Sequence, residues 1–324
     1  MKNDKSLITV ITLSYYSPDL LGCIDSVLEQ TYSNIQYIIV DDGTDNFDSE
    51  AIKEYIAKNQ KDNIKDIVVV TNEENQGIVK AFNIGLKLSK GEIIFNVAGD
   101  DQFVDKDVLS DWVNAFKTSG ALIMTAYRRV YNQSLDREIG LAPLRSEVKL
   151  IKKYGSQPKK LFEKIAAKNI IFGCCTAQTK KAYELYGLRD EKYRLIDDHP
   201  YYLNLLRKGQ TIEFFDRAVV KYRQGGISYT SNVDKMYYSD ADNIIKNEAL
   251  PYVSNPKKVK KEYDKWKQDI VWSSKVAAFK ENEKKYQEKK IKIFVNRVIF
   301  ALKNPRRVLK KILDIIKRER IKKL

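Results

Sequence analysis

The chain has 324 residues, 43% of them apolar, which is enough to bury one large core or a core plus an appendage, and no low-complexity tract interrupts it. No run approaches roughly 18 apolar residues, and the N-terminus, MKNDKS before LITVIT, lacks the apolar stretch and small-residue cleavage site of a signal peptide, so a cytoplasmic protein, soluble or peripheral to a membrane, is expected. The net charge of +15 is uneven, because residues 281–324 carry 16 Lys+Arg against 5 Asp+Glu and leave only +4 on the rest.

The first 130 residues alternate short apolar runs with helical patterns. Leu7 to Thr12 reads as a buried strand, and behind the start signal Ser17-Pro18 the residues Leu20, Leu21, Ile24, Val27 and Leu28 recur at helical spacing. Tyr37 to Val40 is a second strand and runs straight into Asp41-Asp42-Gly43-Thr44. A polar helix near 49–61 precedes a third strand, Ile67 to Val70, and Asn75-Gln76-Gly77 opens a helix carrying Ile78, Ala81, Phe82 and Leu86. The fourth strand, Glu92 to Asn96, leads to Ala98-Gly99-Asp100-Asp101. Short, uniformly apolar strands separated by helices predict a parallel sheet covered on both faces and built from right-handed βαβ units.

Two strands thus end in acidic pairs on the same edge of one sheet, where open α/β sheets place their ligands. A carboxylate after the second strand can accept hydrogen bonds from a base or ribose. One after the fourth can reach a diphosphate through Mg²⁺ or Mn²⁺, hard cations that take oxygen ligands. Local turn formation or helix capping is the competing explanation for each pair. There is no GxGxxG and no GxxxxGK[ST], so neither a dinucleotide fold nor a P-loop is indicated. Cys23, Cys174 and Cys175 show no CxxC spacing, and they read as reduced packing residues in place of a disulfide framework or zinc site.

Farther along, Ile196-Asp197-Asp198-His199-Pro200 stands before an amphipathic helix with Tyr201, Leu205 and Leu206, and Ala218 to Tyr222 reads as a strand. After residue 232 the chain turns to helices rich in Lys, Tyr and Asp. Ile291, Phe294, Val295, Val298, Ile299 and Leu302 follow an i, i+3, i+4, i+7 pattern, and beyond Asn304-Pro305 so do Val308, Leu309, Ile312, Leu313 and Ile316, with Lys and Arg on the other faces. This is the pattern of an interfacial amphipathic helix on anionic lipid, with packing on the protein or on a second subunit as the competing reading. Nothing resembles a nucleic-acid recognition motif.

The series VITLSYY, IIVDDGT, NQGIVKAFNIGL and KGEIIFNVAGDD, in that order and spacing, resembles the inverting family-2 glycosyltransferases of the GT-A fold over about residues 5–230. The resemblance implies an α/β fold with a GT-A (Rossmann-like), mostly parallel sheet flanked by helices and a C-terminal helical basic extension. It implies a catalytic domain at 1–232, its nucleotide-binding half about 1–130 and its acceptor half about 131–232, followed by a helical region at 233–324. By the same resemblance Thr12, Asp41 and Asp42 line the base and ribose pocket with Lys80 near it, and Asp100 is the metal-binding Asp with Asp101 beside it. Asp198 matches the general base, with Asp197 in place of the family's Glu, and Arg223, in a loop through Ser228 that resembles one closing over the donor, is expected to pair with phosphates, with an ordinary surface loop after the strand as the alternative. A base of this kind takes the acceptor hydroxyl's proton while a metal carries charge on the departing diphosphate. His199, the only histidine, is read as structural, with a diphosphate or metal contact as alternatives.

Two positions depart from the family pattern. Ala98 stands where the first acid of the metal motif often lies, which weakens the case for tight metal binding, and Phe82 stands where an Arg is common, which removes a positive charge from the nucleotide pocket. The activity this resemblance implies is a Mn²⁺- or Mg²⁺-dependent transfer from a nucleotide-sugar donor, expected to be UDP-linked, to a glycan or lipid-linked acceptor. Residues 285–324 would meet an anionic membrane surface on the inner face of the cell membrane, nucleic acid would not be a partner, and self-association is left open. The alternative is a noncatalytic nucleotide-sugar or glycan-binding module of the same fold.

Overall fold

The computed structural model describes residues 6–225 and 235–269. Four strands form the first half of the sheet: β1 (Ile8–Ser14), β2 (Ile35–Asp41), β3 (Ile64–Thr71) and β4 (Ile93–Ala98), joined through α1 (Leu20–Leu28), α2 (Ser49–Asn59) and α3 (Ile78–Leu88). They lie in the order β3-β2-β1-β4, all parallel. Alternation along each strand explains their apolar runs. Ile8 and Val10 of β1, Tyr37 and Ile39 of β2 and Phe95 and Val97 of β4 pack with α1, whereas Ile11, Ile38, Val40 and Ile94 pack with Ala81, Phe82 and Leu86 of α3.

The chain progresses outward from β1 to β3 and then returns to place β4 on β1's other side. With right-handed crossovers, that reversal puts α3 on the face opposite α1 and α2 and opens a crevice at the carboxyl ends of β1 and β4.

Beyond β4 the sheet is mixed. It continues with β8 (Thr176–Thr179), β6 (Ile123–Tyr131), β9 (Glu213–Arg223) and β5 (Gln102–Phe103), while β7 (Glu138–Ala142) pairs with β6. β8 runs antiparallel to both β4 and β6, and β6 is parallel to β9. The uninterrupted parallel pattern therefore belongs to the βαβ half; beyond it β6 and β9 run parallel, while the hairpin β6–β7 can only pair antiparallel.

The remaining helices are α4 (Val108–Ser119), α5 (Arg145–Tyr154), α6 (Pro158–Ile165), α7 (Lys180–Tyr186), α8 (Asp198–Arg207) and α9 (Lys235–Ile244), followed by a helix at 256–269 (α10). Trp112 of α4, fully buried, meets Phe95 edge-on at 5.2 Å and stacks on Phe215 at 6.1 Å, closing the sheet's first face. Packing runs on past residue 232: Ala241 and Ile244 of α9 and Val259 of α10 share a core cluster with Leu161 and Ile165 of α6 and Leu203 of α8. Among the described residues no helix is long and apolar enough to cross a membrane. The basic amphipathic segment at 285–324 and the expected end of the phosphate-facing loop, Gly226 to Ser228, lie outside the described residues.

Candidate active site

Backbone bonds knit the carboxyl ends of the three central strands together. Gly99 N donates to Leu13 O at 2.8 Å and Asp42 N to Ser14 O at 2.8 Å. A side chain at Gly99 would place its Cβ 2.6 Å from Ser17 Oγ, so only glycine lets the β4 loop approach the β1 loop this closely.

Asp41 is fully buried and both its oxygens are taken by Thr44, whose amide and hydroxyl donate at 2.8 and 2.7 Å. It shapes the turn. Asp42 accepts from Asn72 Nδ2 (2.8 Å), Gln76 N (2.9 Å) and Gly77 N (2.8 Å), which fixes the loop at the N-terminus of α3. Lys80 is exposed on the first turn of that helix.

Thr12 is not at this edge. It shares the parity of Val10, faces α1 with no exposed surface, and sets its hydroxyl against Tyr37 Oη (3.1 Å) and Cys23 Sγ (3.7 Å). The residues that do reach the edge, just past β1, are Tyr15 and Tyr16, each about half exposed, with rings 4.9 Å apart. Tyr16 has φ 45° and donates its hydroxyl to Asp45 at 2.6 Å, a strained backbone held by the β2 loop.

Asp100 is half-buried after β4 and Asp101 is buried. Burial raises the Asp100 carboxyl; burial and then the Asp100 charge push Asp101 well above the usual carboxylate range. Asp101 Oδ1 accepts from Arg223 N at 2.8 Å, but its Oδ2 is a buried acceptor with no hydrogen-bond partner. Such an orphaned oxygen beside a second carboxylate fits a hard divalent cation. Among the described residues no group of three or more His, Cys, Asp or Glu converges on one point, so further ligands would come from substrate phosphates and water.

Arg223 is a strut across this edge. Its Nη2 pairs with Asp19 at 2.6 Å, its Nε donates to Asp100 O at 2.8 Å and its Nη1 bonds Gln133 O. The guanidinium expected to meet phosphates is thus engaged by protein groups, and it orders the turn that carries Asp100.

On the other wall, Asp198 begins α8. Its Oδ2 accepts from Gly173 N at 3.1 Å and its Oδ1 from His199 N at 2.6 Å. Asp197, at the N-cap position, makes no capping hydrogen bond, which removes the simplest structural explanation for it. Burial, and next the Asp198 charge, lift the Asp197 carboxyl to about 6, while Arg189, whose Nε lies 3.7 Å away, opposes the rise. Asp198 is also raised, by burial, against the two amides and the charges of Arg189 and Arg128. His199 is buried with Nε2 2.9 Å from Ile165 O, and burial lowers it to about 4; it serves the core.

Two residues join the walls. Arg128 is sandwiched between the rings of Phe172 and Tyr222, each 4.0 Å from its guanidinium carbon, and its Nη1 donates to Cys174 Sγ at 3.4 Å. Both Arg128 and Cys174 act electrostatically on Asp101, and both on Asp198, so the two acidic sites share one neighbourhood. The Cys175 hydrogen bond, together with the Arg128 charge, draws the Cys174 thiol below its ordinary value. No cysteine among the described residues is in a disulfide.

Arg128 and Asp19 have no readable signal in the sequence, since each acts on residues far along the chain. Arg189 could have been noticed within Tyr186-Gly187-Leu188-Arg189, on the approach to Asp197.

Comparison with known proteins shows what the chain is similar to. The chain is 29% identical to TuaG of Bacillus subtilis, whose name places it in teichuronic acid biosynthesis, over 72% of this chain and 84% of TuaG. It is 26% identical to the B. subtilis glycosyltransferase EpsJ over 69% of this chain, a match that spans only 63% of EpsJ's length. Among solved structures, S. aureus TarS 1–349 in complex with UDP-GlcNAc superposes with a TM-score of 0.55 at 15% identity, covering 79% of this chain and 70% of that one. The mannosyltransferase PcManGT of Pyrobaculum calidifontis, in complex with GDP-Man and Mn²⁺, superposes with a TM-score of 0.59 at 16% identity, covering 85% and 74%. These likenesses show the GT-A fold. The family model for glycosyl transferase family 2 matches residues 8–187, more than half of the sequence, and the chain belongs to that family.

Proposed function

We propose that the protein transfers a sugar, with inversion, from a UDP-linked donor to a glycan or lipid-linked glycan acceptor. The observation that carries this reading is the placement of Asp198: a carboxylate on the first turn of α8, oriented by two amides and raised by burial, in electrostatic contact with the wall that holds Asp101. Asp198 accepts the proton of the acceptor hydroxyl as its oxygen attacks the anomeric carbon opposite the departing diphosphate. Gly173 and His199 amides hold that carboxylate in place. Asp100 would hold Mn²⁺ or Mg²⁺ with Asp101 behind it. When bound, such an ion offsets charge on the leaving diphosphate.

The loop fixed by Asp42, with Tyr15 and Tyr16 and with Lys80 on α3, would receive the nucleoside. That TarS and PcManGT are solved with nucleotide sugars, and PcManGT with Mn²⁺, supports the donor class and the ion. The amphipathic pattern of 285–324 supports attachment to an anionic membrane surface on the cytoplasmic side, where a lipid-linked acceptor would be met. Ala98, where an acid is common, favours the alternative of a noncatalytic nucleotide-sugar or glycan-binding module. Incubating purified protein with a panel of nucleotide sugars, with Mn²⁺ and with a chelator, separates the two: metal-dependent release of UDP supports the enzyme, and binding without turnover of any donor supports the module.

A further inference from the structure

One carboxylate oxygen, Asp240 Oδ2 on α9, accepts three consecutive backbone amides, Arg194 N at 2.9 Å, Leu195 N at 2.7 Å and Ile196 N at 3.2 Å. Three successive N–H groups converging on one anion form a nest, which fixes the backbone more firmly than any single bond. The chain then passes directly into Asp197 and Asp198. Asp240 is 5% exposed, so the contact is shielded from water.

The same short segment is fastened on its other side to the nucleotide wall. Arg194 Nη2 donates to Asn75 O at 2.6 Å and to Asn75 Oδ1 at 2.8 Å, and Val79 N donates to Arg194 O at 3.2 Å. Gly77, with φ +94°, packs so closely that a Cβ there would lie 2.5 Å from Arg194 Cγ and 2.8 Å from Arg194 O. Asn75 and Gly77 belong to the loop whose neighbouring amides, Gln76 N and Gly77 N, are held by Asp42. A second anchor lies just upstream, where Glu248 accepts from Lys192 Nζ at 2.6 Å and Tyr193 Oη at 3.1 Å.

We propose that Arg194 and Asp240 are positioning residues that tie the general base to the nucleotide loop, so that ordering of residues 72–77 by a bound nucleotide is passed to Asp197 and Asp198. The inference rests on the glycosyltransferase reading for the nucleotide and the base. The physical warrant is continuity: Asp42 holds the amides of Gln76 and Gly77, Val79 N bonds Arg194 O, and Asp240 holds the amides of residues 194–196 just before Asp197 and Asp198, with the Arg194 side chain adding bonds to Asn75. Neither residue touches the reacting atoms; Arg194 grips the nucleotide loop and Asp240 holds the base segment against α9. Displacement of a base by about 1 Å can cost on the order of 10²-fold in turnover, so loss of either tie should fall on kcat.

Amide hydrogen exchange on the full chain, with UDP and Mn²⁺ as the probe, tests the proposal. In ligand-free protein, Asp240→Ala should speed exchange at residues 194–196 and leave β3 at wild-type rates, while Asp240→Asn, which keeps an acceptor oxygen, should restore part of the protection. In the wild type, UDP and Mn²⁺ should slow exchange at 72–80 and at 194–198. In Arg194→Gln they should slow it at 72–80 alone. Kinetically, Asp240→Ala should lower kcat by about 10²-fold with donor KM changed less than about threefold. Equal slowing at 194–198 in Arg194→Gln and wild type, or unchanged exchange at 194–196 in Asp240→Ala, overturns the proposal and leaves the glycosyltransferase reading standing. Absence of slowing at 72–80 in the wild type overturns both, because it removes the nucleotide site itself.

Discussion

Gly173 donates its amide to Asp198 Oδ2 at 3.1 Å, and a Cβ built on Gly173 would lie 3.3 Å from Asp198 Cβ and 3.7 Å from that same oxygen. The glycine thus does two things at one point: it supplies an orienting donor and leaves the space that lets the carboxylate come close. Gly173→Ala should push Asp198 aside by a few tenths of an ångström and lower kcat by about 10-fold or more, with donor KM little changed. Steady-state kinetics with a thermal melt distinguishes this from unfolding, since the fold should melt within a few degrees of wild type.

Removing the charge while keeping the shape isolates the chemistry. Asp198→Asn should retain donor affinity and lose about 10²–10⁴-fold in turnover, the usual range for a general base. Asp197→Asn should be milder, because Asp197 is paired with Arg189 and stands one residue before the carboxylate held by the Gly173 amide. Transfer by Asp198→Asn at rates within a few-fold of wild type would place the base elsewhere.

The pH dependence follows from the same pair. Asp197 and Asp198 are both raised, Asp197 to about 6, chiefly by burial. A base must be ionised to accept a proton, and Asp198 is raised by burial, so kcat should fall on the acidic side at a pH above the range of an exposed Asp. Arg189 lowers both groups, so Arg189→Gln should move this acidic limb to higher pH. An acidic limb that stays in place in Arg189→Gln would show that another group controls it. For stability the sign is opposite to that of a salt-bridged acid: the contribution of Asp197 is present below the ordinary Asp value and is lost as pH rises through about 6.

Much of the first half was legible because its signals are local. Strands buried on both faces give unbroken apolar runs, so the runs mark β1 to β4 within three residues at every end, and the acidic pairs at the ends of β2 and β4 mark the carboxyl edge by adjacency alone. Asp197-Asp198 stands out for the same reason, at the head of an amphipathic helix. The second half hid its strands: β8 is four residues long and β6 carries Arg128 and Arg129 outward of its apolar start, so neither shows an apolar run or strict alternation. Thr12 was assigned to the pocket, yet period-two alternation from Val10 turns it toward α1 and Cys23, an orientation that strand parity predicts. Arg223 could not be read correctly from its neighbours, since its carboxylate partner Asp19 lies 204 residues away. Asp240 was invisible for the same reason: its three amide partners are 44 to 46 residues upstream.

Metal binding is tested by the acid that has a free carboxylate face. Asp100→Asn removes the charge that would join protein to diphosphate through an ion, so Mn²⁺-dependent affinity for UDP should be lost in titration calorimetry. Asp101→Asn should weaken it less, since Asp101 is buried and one of its oxygens is already held by Arg223 N. Unchanged affinity in Asp100→Asn would sink the assignment. Asp101→Asn also offers a stability readout. An amide nitrogen in place of the orphaned, buried Oδ2 exchanges an unmatched acceptor for an unmatched donor but removes the like charge beside Asp100, so melting temperature should hold or rise in metal-free buffer.

The basic segment gives a prediction that needs no knowledge of the sugar. Residues 281–324 hold 16 of the chain's Lys and Arg, interleaved with an apolar stripe at helical spacing, and each basic residue near an anionic surface contributes on the order of 1 kcal/mol. A fraction of them, with a few inserted apolar side chains, is then sufficient to hold the protein on such a membrane. Reversing charge at Arg306, Arg307, Lys310 and Lys311 should release the protein from vesicles rich in anionic lipid while leaving UDP release from a donor intact, and raised salt should mimic the substitution because screening shortens the reach of surface charges. Sedimentation with anionic and with neutral vesicles reads the outcome. If the wild-type protein sediments equally with both, or the reversed variant loses donor turnover as well as lipid binding, the stripe packs against protein and the membrane assignment fails.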